Sequence, residues 1–494
     1  MMTDHFDVAI IGCGPVGAAL ANLLVRQSRR VLVLDAFALP YSLPRATHLD
    51  GEAVRILQAA GISDMLASRL GVYPRMRFED AGGALLIDWP RSILPGPQGW
   101  RDSNRFHQPD LEVALRARAA ASPLITLRLG YSATAMTQDD RAVTIEATGP
   151  DGASRFTANF VVGCDGARST VRQMLGAGLE VLAPPEQWLV ADLILHDGAP
   201  ALPEGTVQYC DPARPFTYIE AVGRRRRWEV KLLPGDDPVI FVEPDHVRSL
   251  LRRWLAPGDA EIERAVVYTF SSAIATPWRK DRVMVAGDAA HQTPPFLGQG
   301  LCAGLRDAAN LAWKLAWVLD GRGAASLLDS YEAELRPHVA QYIAEANRIG
   351  AIIQETNPDR ARARDAMLLA QPQILTPIRP RLGGTGGLDD DRLAGTLAPQ
   401  PRLRDGRWLD DAAGPRFVIL SRAGLIDQVK EETRARWKRA DAAVLEGEAT
   451  AYLDSIEAEA VIIRPDHYIL GTARSAAALD AVTRTIPLAA DGDG

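Results

Sequence analysis

Only four cysteines are spread through the 494 residues, Cys13, Cys164, Cys210 and Cys302, and no two form a Cys-x-x-Cys pair. That spacing argues against a disulfide framework and a structural zinc site, so no metal is expected, and it fits a reducing cytoplasm. Positive charge is not in excess either. A formal net charge of −7 gives no reason to expect nucleic acid or an anionic membrane as partner. No apolar run approaches the roughly 18–20 residues that a membrane-spanning helix needs. The chain enters "FDVAIIG" at Phe6 without a basic region or cleavage site, so no signal peptide is expected. Internal repeats are lacking, as are low-complexity segments beyond a final "DGDG". What remains, 47% hydrophobic and 24% charged, is the composition of a soluble globular protein long enough for two or three domains.

The first segment alternates strand and helix. "DVAII" is a short β-branched run, "GCGPVG" a glycine turn, "AALANLLVRQ" helical, and "RVLVLD" a second strand. Such a unit crosses over right-handedly and lays two strands parallel. "ANFVVGCDGARS" from Ala158 and "DRVMVAGDAA" from Asp281 are again apolar strands running into glycine turns, and the same parallel sheet accommodates all of them. From about Trp188 to Phe270 the texture changes to alternating stretches such as "TVQYC", "FTYIEAV" and "RWEVKLL", the pattern of an antiparallel sheet. The last hundred or so residues, with "RFVIL", "AVLEG" and "AVIIRPDHYIL", read as a small separate α/β unit.

Gly12, Gly14 and Gly17 form a G-x-G-x-x-G directly after a strand and at the mouth of a helix. The first glycine permits the turn, the second lets a pyrophosphate reach the backbone, and the third lets helix and strand pack closely. Asp35, ending the next strand, is placed to accept a ribose hydroxyl. This fingerprint does not separate FAD from NAD. "GDAAHQTPPFLGQG", Gly287 to Gly300, does: Asp288 would project from the sheet's carboxyl edge towards a polyol, and Gly298 and Gly300 would let the backbone lie against a flat ring. The helix opening near Leu301 would aim its positive end at that ring, and a reduced flavin carries negative charge there. The ring is therefore expected to be an isoalloxazine.

In order and spacing, the three glycine motifs, with "PRATHLDGEAVRIL" from Pro44 and "FHQPDLEVALR" from Phe106, resemble class A flavin-dependent aromatic hydroxylases. "RRRRWEVKLLPG" at Arg224 and "RDAANLAWKLA" at Arg306 bring the chain near the 3-(3-hydroxyphenyl)propionate hydroxylase group. The resemblance covers roughly the first 350 residues, and it implies a Rossmann-like FAD-binding parallel sheet, an inserted, mostly antiparallel substrate sheet and a thioredoxin-like C-terminal α/β domain. The expected boundaries are 1–74, 102–180 and 276–355 for the FAD-binding domain with its long helices, and 75–101 and 181–275 for the substrate domain. A linker over 356–387 would lead to a thioredoxin-like domain over 388–494. With no cysteine, that domain does no dithiol chemistry, and its expected role is packing or homodimerisation.

The resemblance also assigns residues. Gly12, Gly14, Gly17 and Asp35 would hold the ADP half of FAD. Arg45 would sit near flavin and nicotinamide, and Gln108 near the phosphate or ribityl region. Asp165 would serve FAD and NAD(P)H, Asp288 would take the ribityl chain, and Gly298, Gly300 and Leu301 would face the ring. Pro295 would line the place where substrate meets flavin. Cys302 stands where the family often has asparagine, which leaves backbone contacts alone there. The implied reaction uses transient NADH or NADPH and O2 to hydroxylate a phenol through a flavin hydroperoxide, and a base for the phenol is needed that the sequence does not identify. Polycyclic or polyketide substrates, a flavin-binding module without turnover and a simple dehydrogenase remain as alternatives.

Several residues have a plainer reading. His291 is expected to shape its loop, and Cys13 and Cys164 to pack in turns that demand small residues. The arginines at 224–227 read as a solvated hairpin end, and Tyr209, Phe216, Tyr218 and Trp228 as sheet core.

Overall fold

The computed structural model describes residues 5–371, 373, 375–384 and 391–490. Part of the glycine stretch at 383–387, the expected boundary at 388 and the final "DGDG" lie outside them. A first sheet has the order Arg279–Lys280, Val283–Val285, Gly152–Gly163, His5–Ile11, Val31–Asp35, Ile125–Leu129. Along that path every pairing after the edge strand is parallel, and Val143–Gly149 and Ser132–Gln138 extend the sheet from Gly152–Gly163 as antiparallel strands, making eight in all. Its central strands are buried on both faces, which is why they read as unbroken apolar runs. Helices Pro15–Val25 and Gly300–Leu319 cross where a Cβ on Gly304 would come within 2.6 Å of Val16, a contact that only glycine allows.

The second, mostly antiparallel sheet also has eight strands, among them Gly178–Leu195, Ala260–Thr276, Arg225–Lys231, Phe216–Glu220 and Thr206–Tyr209. Arg75–Glu79 and Leu85–Pro90 join its edge. One face packs Tyr209, Phe216, Tyr218, Trp228 and Val230 against Phe241, Val247 and Leu251. The opposite face packs Phe78, Ile87, Trp89 and Trp188 against Phe296 and Leu297 of the glycine-rich loop and against Ile349 and Ile353 of helix Ser330–Ile353. The sheet thus roofs that loop. In the stretch expected to be a linker, residues Pro358–Ala370 form a helix capped by Asn357.

The C-terminal unit holds a four-stranded mixed sheet, Ala443–Glu446, Val418–Ser421, Ala460–Ile463, Ile469–Ala473, with the first pair parallel and the others antiparallel. It docks in two ways. Phe417 packs with Trp313 and Trp317 at ring separations of 5.5 and 4.9 Å. Beside them a buried ionic cluster joins Arg464 and Asp466 to Glu334 and Lys314 of the long helices, at 2.7–2.8 Å. Burial alone would raise the Glu334 carboxyl, but the charges of Arg464 and Lys314 outweigh it and hold the group at about 2.

A carboxyl held below its ordinary value contributes stability above the unfolded pKa, near 4.5, that is lost as pH falls towards about 2. Replacing Arg464 with alanine strands a buried carboxylate at a cost of about 3–5 kcal/mol. Hydrogen exchange followed across pH should then show the C-terminal sheet less protected than in the wild type at neutral pH, with the difference shrinking as pH falls towards about 2. Identical profiles would mean that the cluster does not hold the unit in place.

Candidate functional site

Three strands of the first sheet end in register. Ile11 pairs with Gly163, and Gly163 pairs with Val285. The turns that follow, at Gly12, Cys164–Asp165 and Gly287–Asp288, therefore stand side by side at the carboxyl edge of a parallel sheet, where such sheets bind ligands. Gly12 adopts φ +104°, and a Cβ there would overlap the carbonyl oxygen of Cys164. A Cβ on Gly17 would overlap the carbonyl oxygen of Gly12. Gly14, by contrast, faces open space and caps helix Pro15–Val25. Burial pushes the Cys13 thiol up to about 11 and that of Cys164 well above its ordinary value, so both pack and stay protonated.

Asp35 is buried. Its carboxylate accepts the Cys13 N–H at 2.6 Å and the Phe37 N–H at 2.8 Å, tying the glycine turn to the second strand. Arg116 joins them, donating to the Cys13 carbonyl at 3.1 Å and reaching Asp35 at 3.4 Å, while its Nη1 is buried with no partner. Asp165 turns inward: it accepts N–H groups of Thr170 and Val171 at 2.7 and 3.0 Å and the Ser169 hydroxyl, capping helix Thr170–Leu175. Gln108 accepts from the backbone N–H groups of Arg45 and Ala46 at 3.2 and 2.7 Å, so it fixes that segment. The exposed Arg45 guanidinium lies 4.6 Å from the centre of the Tyr41 ring.

At the third turn, Gly287 and Ala289 are buried but Asp288 is solvent-accessible. The surrounding protein still raises its carboxyl through burial, which His291 and Arg45 oppose and Asp307 reinforces. Asp307 accepts the Gly287 N–H at 2.7 Å and bonds His291 Nε2 at 2.7 Å. Burial works against protonated His291, yet the charge of Asp307 outweighs it and holds the ring above its ordinary value. His291 is a brace. Pro295 opens a single 3-10 turn that ends at Gly298, φ +65°, where a Cβ would lie 3.0 Å from His48. Gly300 and Leu301 begin the next helix, and the Cys302 thiol packs beneath them, fully buried. Arg306 donates to Glu52 at 2.6 Å and to Gln299 at 3.2 Å, and it also pairs with Asp50. Tyr468 of the C-terminal unit donates to the same Glu52 at 2.7 Å. These groups and His48, Trp89 and Arg91 border a cavity of about 300 Å³.

A dinucleotide with a flavin ring fits this edge. Helices Pro15–Val25 and Gly300–Leu319 both begin without a capping side chain or an acidic first turn, which leaves N–H groups free for an anionic or electron-rich group. The unpartnered Arg116 Nη1 lies beside the mouth of helix Pro15–Val25, and the accessible Asp288 follows a strand two places along the sheet. Among the described residues no three His, Cys, Asp or Glu side chains converge as a metal site, and no helix is long and apolar enough to cross a membrane.

A profile of the FAD binding domain family matches residues 5–346. A probable NADH-specific resorcinol 4-hydroxylase of Rhodococcus jostii is 35% identical, over 97% of this chain and 94% of the relative. A 3-(3-hydroxy-phenyl)propionate/3-hydroxycinnamic acid hydroxylase of Burkholderia vietnamiensis is 36% identical, over 84% and 79%.

The chain belongs to the class A FAD-dependent aromatic hydroxylases.

The architecture of this hydroxylase matches that of aklavinone-11 hydroxylase, solved with FAD and aklavinone, at a TM-score of 0.82 and 24% identity over 98% of this chain and all of that one. The expected FAD cofactor, nicotinamide dependence and aromatic monooxygenase class all stand. The four arginines at 224–227 divide: Arg224 pairs with exposed Asp197, Arg225 with Glu263 and Arg226 with Glu220. Arg227 instead turns under the sheet, donating at 2.6 Å to the carbonyls of both Pro44 and Arg45 and pairing with Asp192. Arg116 did not stand out in the hydroxylase sequence, because Cys13 and Asp35 lie 103 and 81 residues away. Arg227, read with its neighbours as solvated, is instead buried on the Pro44 and Arg45 carbonyls, 183 and 182 residues away.

Gly17→Ala tests the turn. The added methyl must push the helix of the hydroxylase off Gly12, and at least a tenfold loss of FAD affinity is expected, about 1.4 kcal/mol. Titration of apoprotein with FAD, followed by flavin fluorescence, measures it. Unchanged affinity would show that this turn does not contact the cofactor.

Proposed function

We propose that the hydroxylase acts on a single-ring phenol bearing a substituent meta to its hydroxyl, with NADH as reductant, in a reducing cytoplasm. The relatives' names support this reading: resorcinol and 3-(3-hydroxyphenyl)propionate share that substitution pattern. The likeness to aklavinone-11 hydroxylase concerns the fold. The observation that carries the reading is the roof over the glycine-rich loop, an apolar wall with a buried polar strip through it.

Gly12, Gly14, Gly17 and Asp35, with Arg116, hold the ADP half of FAD. Asp288 takes the ribityl chain, and Gly298, Gly300 and Leu301 present backbone to the ring. Pro295 and Arg45 flank the ring where substrate and nicotinamide meet it. Gln108 acts by fixing the Arg45–Ala46 backbone from one side, and Arg227 holds the same segment from the other. Asp165 acts by shaping the turn beside Gly12. Bound FAD, once reduced by NADH, supplies the chemistry that activates O2 and delivers one oxygen atom to the substrate.

The chain's own part is positioning and dryness. The helix mouth at Gly300 favours negative charge on the facing edge of the ring, a helix end being worth roughly half a unit charge. Trp188, Phe270 and Phe296, packed with ring separations of 5.7–6.4 Å, wall one side and exclude water.

Purified protein reconstituted with FAD should oxidise NADH faster with a meta-substituted phenol than without one. With isotopically labelled O2, one labelled atom should appear in the product. NADH oxidation indifferent to every such phenol, or a product without labelled oxygen, would overturn the reading.

A further inference from the structure

We propose that Glu229 is the base that accepts the proton of the substrate's phenolic hydroxyl; the inference rests on the reading of the substrate as a phenol. In Arg225–Lys231, Trp228 and Val230 point to the far-side core with Phe241 and Val247, so Arg227 and Glu229 point to the opposite face. Arg227 shows where that face looks, since its guanidinium reaches the carbonyls of Pro44 and Arg45. Glu229 lies two residues along, between Val190 and Thr217 of the neighbouring strands. It therefore sits in the roof over the loop that ends at Gly300.

The Glu229 side chain is 7% exposed, buried but not sealed, and Arg227 Nη1 stands 3.8 Å away, beyond hydrogen-bond length. Arg227 is committed to Asp192, at 2.7 and 3.2 Å, and Asp192 also holds Arg264 at 2.5 Å. Among the described residues the Glu229 carboxylate accepts no hydrogen bond. An ionised carboxylate offers about four acceptor positions, and no protein donor takes any of those of Glu229, whose oxygens stay open to the space beside the sheet. A ligand hydroxyl fills one of them.

Other bases on this side are engaged. His48 bonds Ser103 through Nε2 at 2.6 Å and the Gly298 carbonyl through Nδ1 at 3.3 Å, and burial pulls its ring down to about 4. Tyr73 donates to Thr206 at 2.6 Å. Asp50 and Glu52 are paired with Arg306. Glu229 remains.

The groups that face it are Arg227 on its own strand, Asp192 and Arg264 on the two strands beyond, and Tyr73 from the segment before Arg75. With Glu229 ionised, two arginines balance two carboxylates. Burial holds the carboxyl above its ordinary value, Asp192 adds to that, and Arg227 and Arg264 oppose it. In the step itself the phenolic O–H bond breaks and its proton passes to a carboxylate oxygen of Glu229. The oxygen keeps the electron pair, which raises electron density at the ring carbons ortho and para to it, where the new oxygen enters. Glu229 returns its proton to solvent as product leaves.

Glu229→Gln and Glu229→Asp holoenzymes test the assignment, with a nitrophenol as probe because its ionisation is visible by difference absorbance. Flavin content and the rate of flavin reduction by NADH should stay within about threefold of the wild type, which shows that the fold is intact. In Glu229→Gln the bound nitrophenol should lose its phenolate absorbance. Hydroxylation should slow about 100-fold, a general-base effect, with NADH oxidation diverted to H2O2. The fall in wild-type hydroxylation on acidification should vanish from the residual rate, and Glu229→Asp should recover part of the activity. Phenolate absorbance that persists in Glu229→Gln, or hydroxylation within about threefold of wild type with the same pH profile, overturns the proposal. The nitrophenol titration needs no turnover, so it judges Glu229 separately. Wild-type NADH oxidation that no phenol accelerates would instead overturn the substrate reading.

Discussion

The contact between the left-handed turn at Gly12 and the carbonyl of Cys164 is the constraint on which the site depends. No side chain fits between them. Because the strands ending at Ile11, Gly163 and Val285 stop in register, that closeness aligns three turns along one edge. The near-contact of Gly304 and Val16 then brings the helix beginning at Gly300 against the one beginning at Pro15. Two uncapped helix mouths open at the same edge, and both favour electron-rich groups.

Around this edge, polar groups fall into two populations. Most buried charges are committed to partners: Arg306 to Asp50 and Glu52, Arg227 to Asp192, Arg464 to Glu334, His291 to Asp307. Such pairs position segments, and breaking one strands the other charge. A few groups are left incomplete. Arg116 Nη1 beside the first helix mouth has no partner, Asp288 stays accessible in a buried turn, and the Glu229 carboxylate lacks a donor. Proteins tolerate such gaps where a ligand completes them. On the proposed reading of the site, their order, from first turn to third turn to roof, would run from the ADP end of the cofactor to the substrate.

Local features were legible in the sequence. The glycine turns, Asp288 and the strands before them announce themselves within a few residues, since backbone conformation and close approach restrict residue type there. The sheet aromatics Tyr209, Phe216, Tyr218 and Trp228 were rightly read as core. What depends on register or on long-range partners was not legible. Which face Glu229 occupies follows from strand pairing, and one residue of slip would turn Trp228 to that face in its place. Gln108 accepts from the backbone of Arg45 and Ala46, 63 and 62 residues away, which no spacing reveals. The helix at Pro358–Ala370 is hidden in the charged run "RARARD", because its buried residues, Ala361 and Leu368, are too few to mark a period.

On this reading three adjoining turns and two helix mouths form a single cleft for FAD, roofed by the second sheet. The decisive measurement is a crystal structure of the FAD complex. Density is expected for the pyrophosphate at the Gly14 helix mouth and for the isoalloxazine between Arg45 and the Pro295–Gly300 backbone, on the side that Glu229 overlooks. Flavin density lodged elsewhere, for example in the cavity beside Tyr342 and Tyr468 with the Gly14 turn empty, would contradict it.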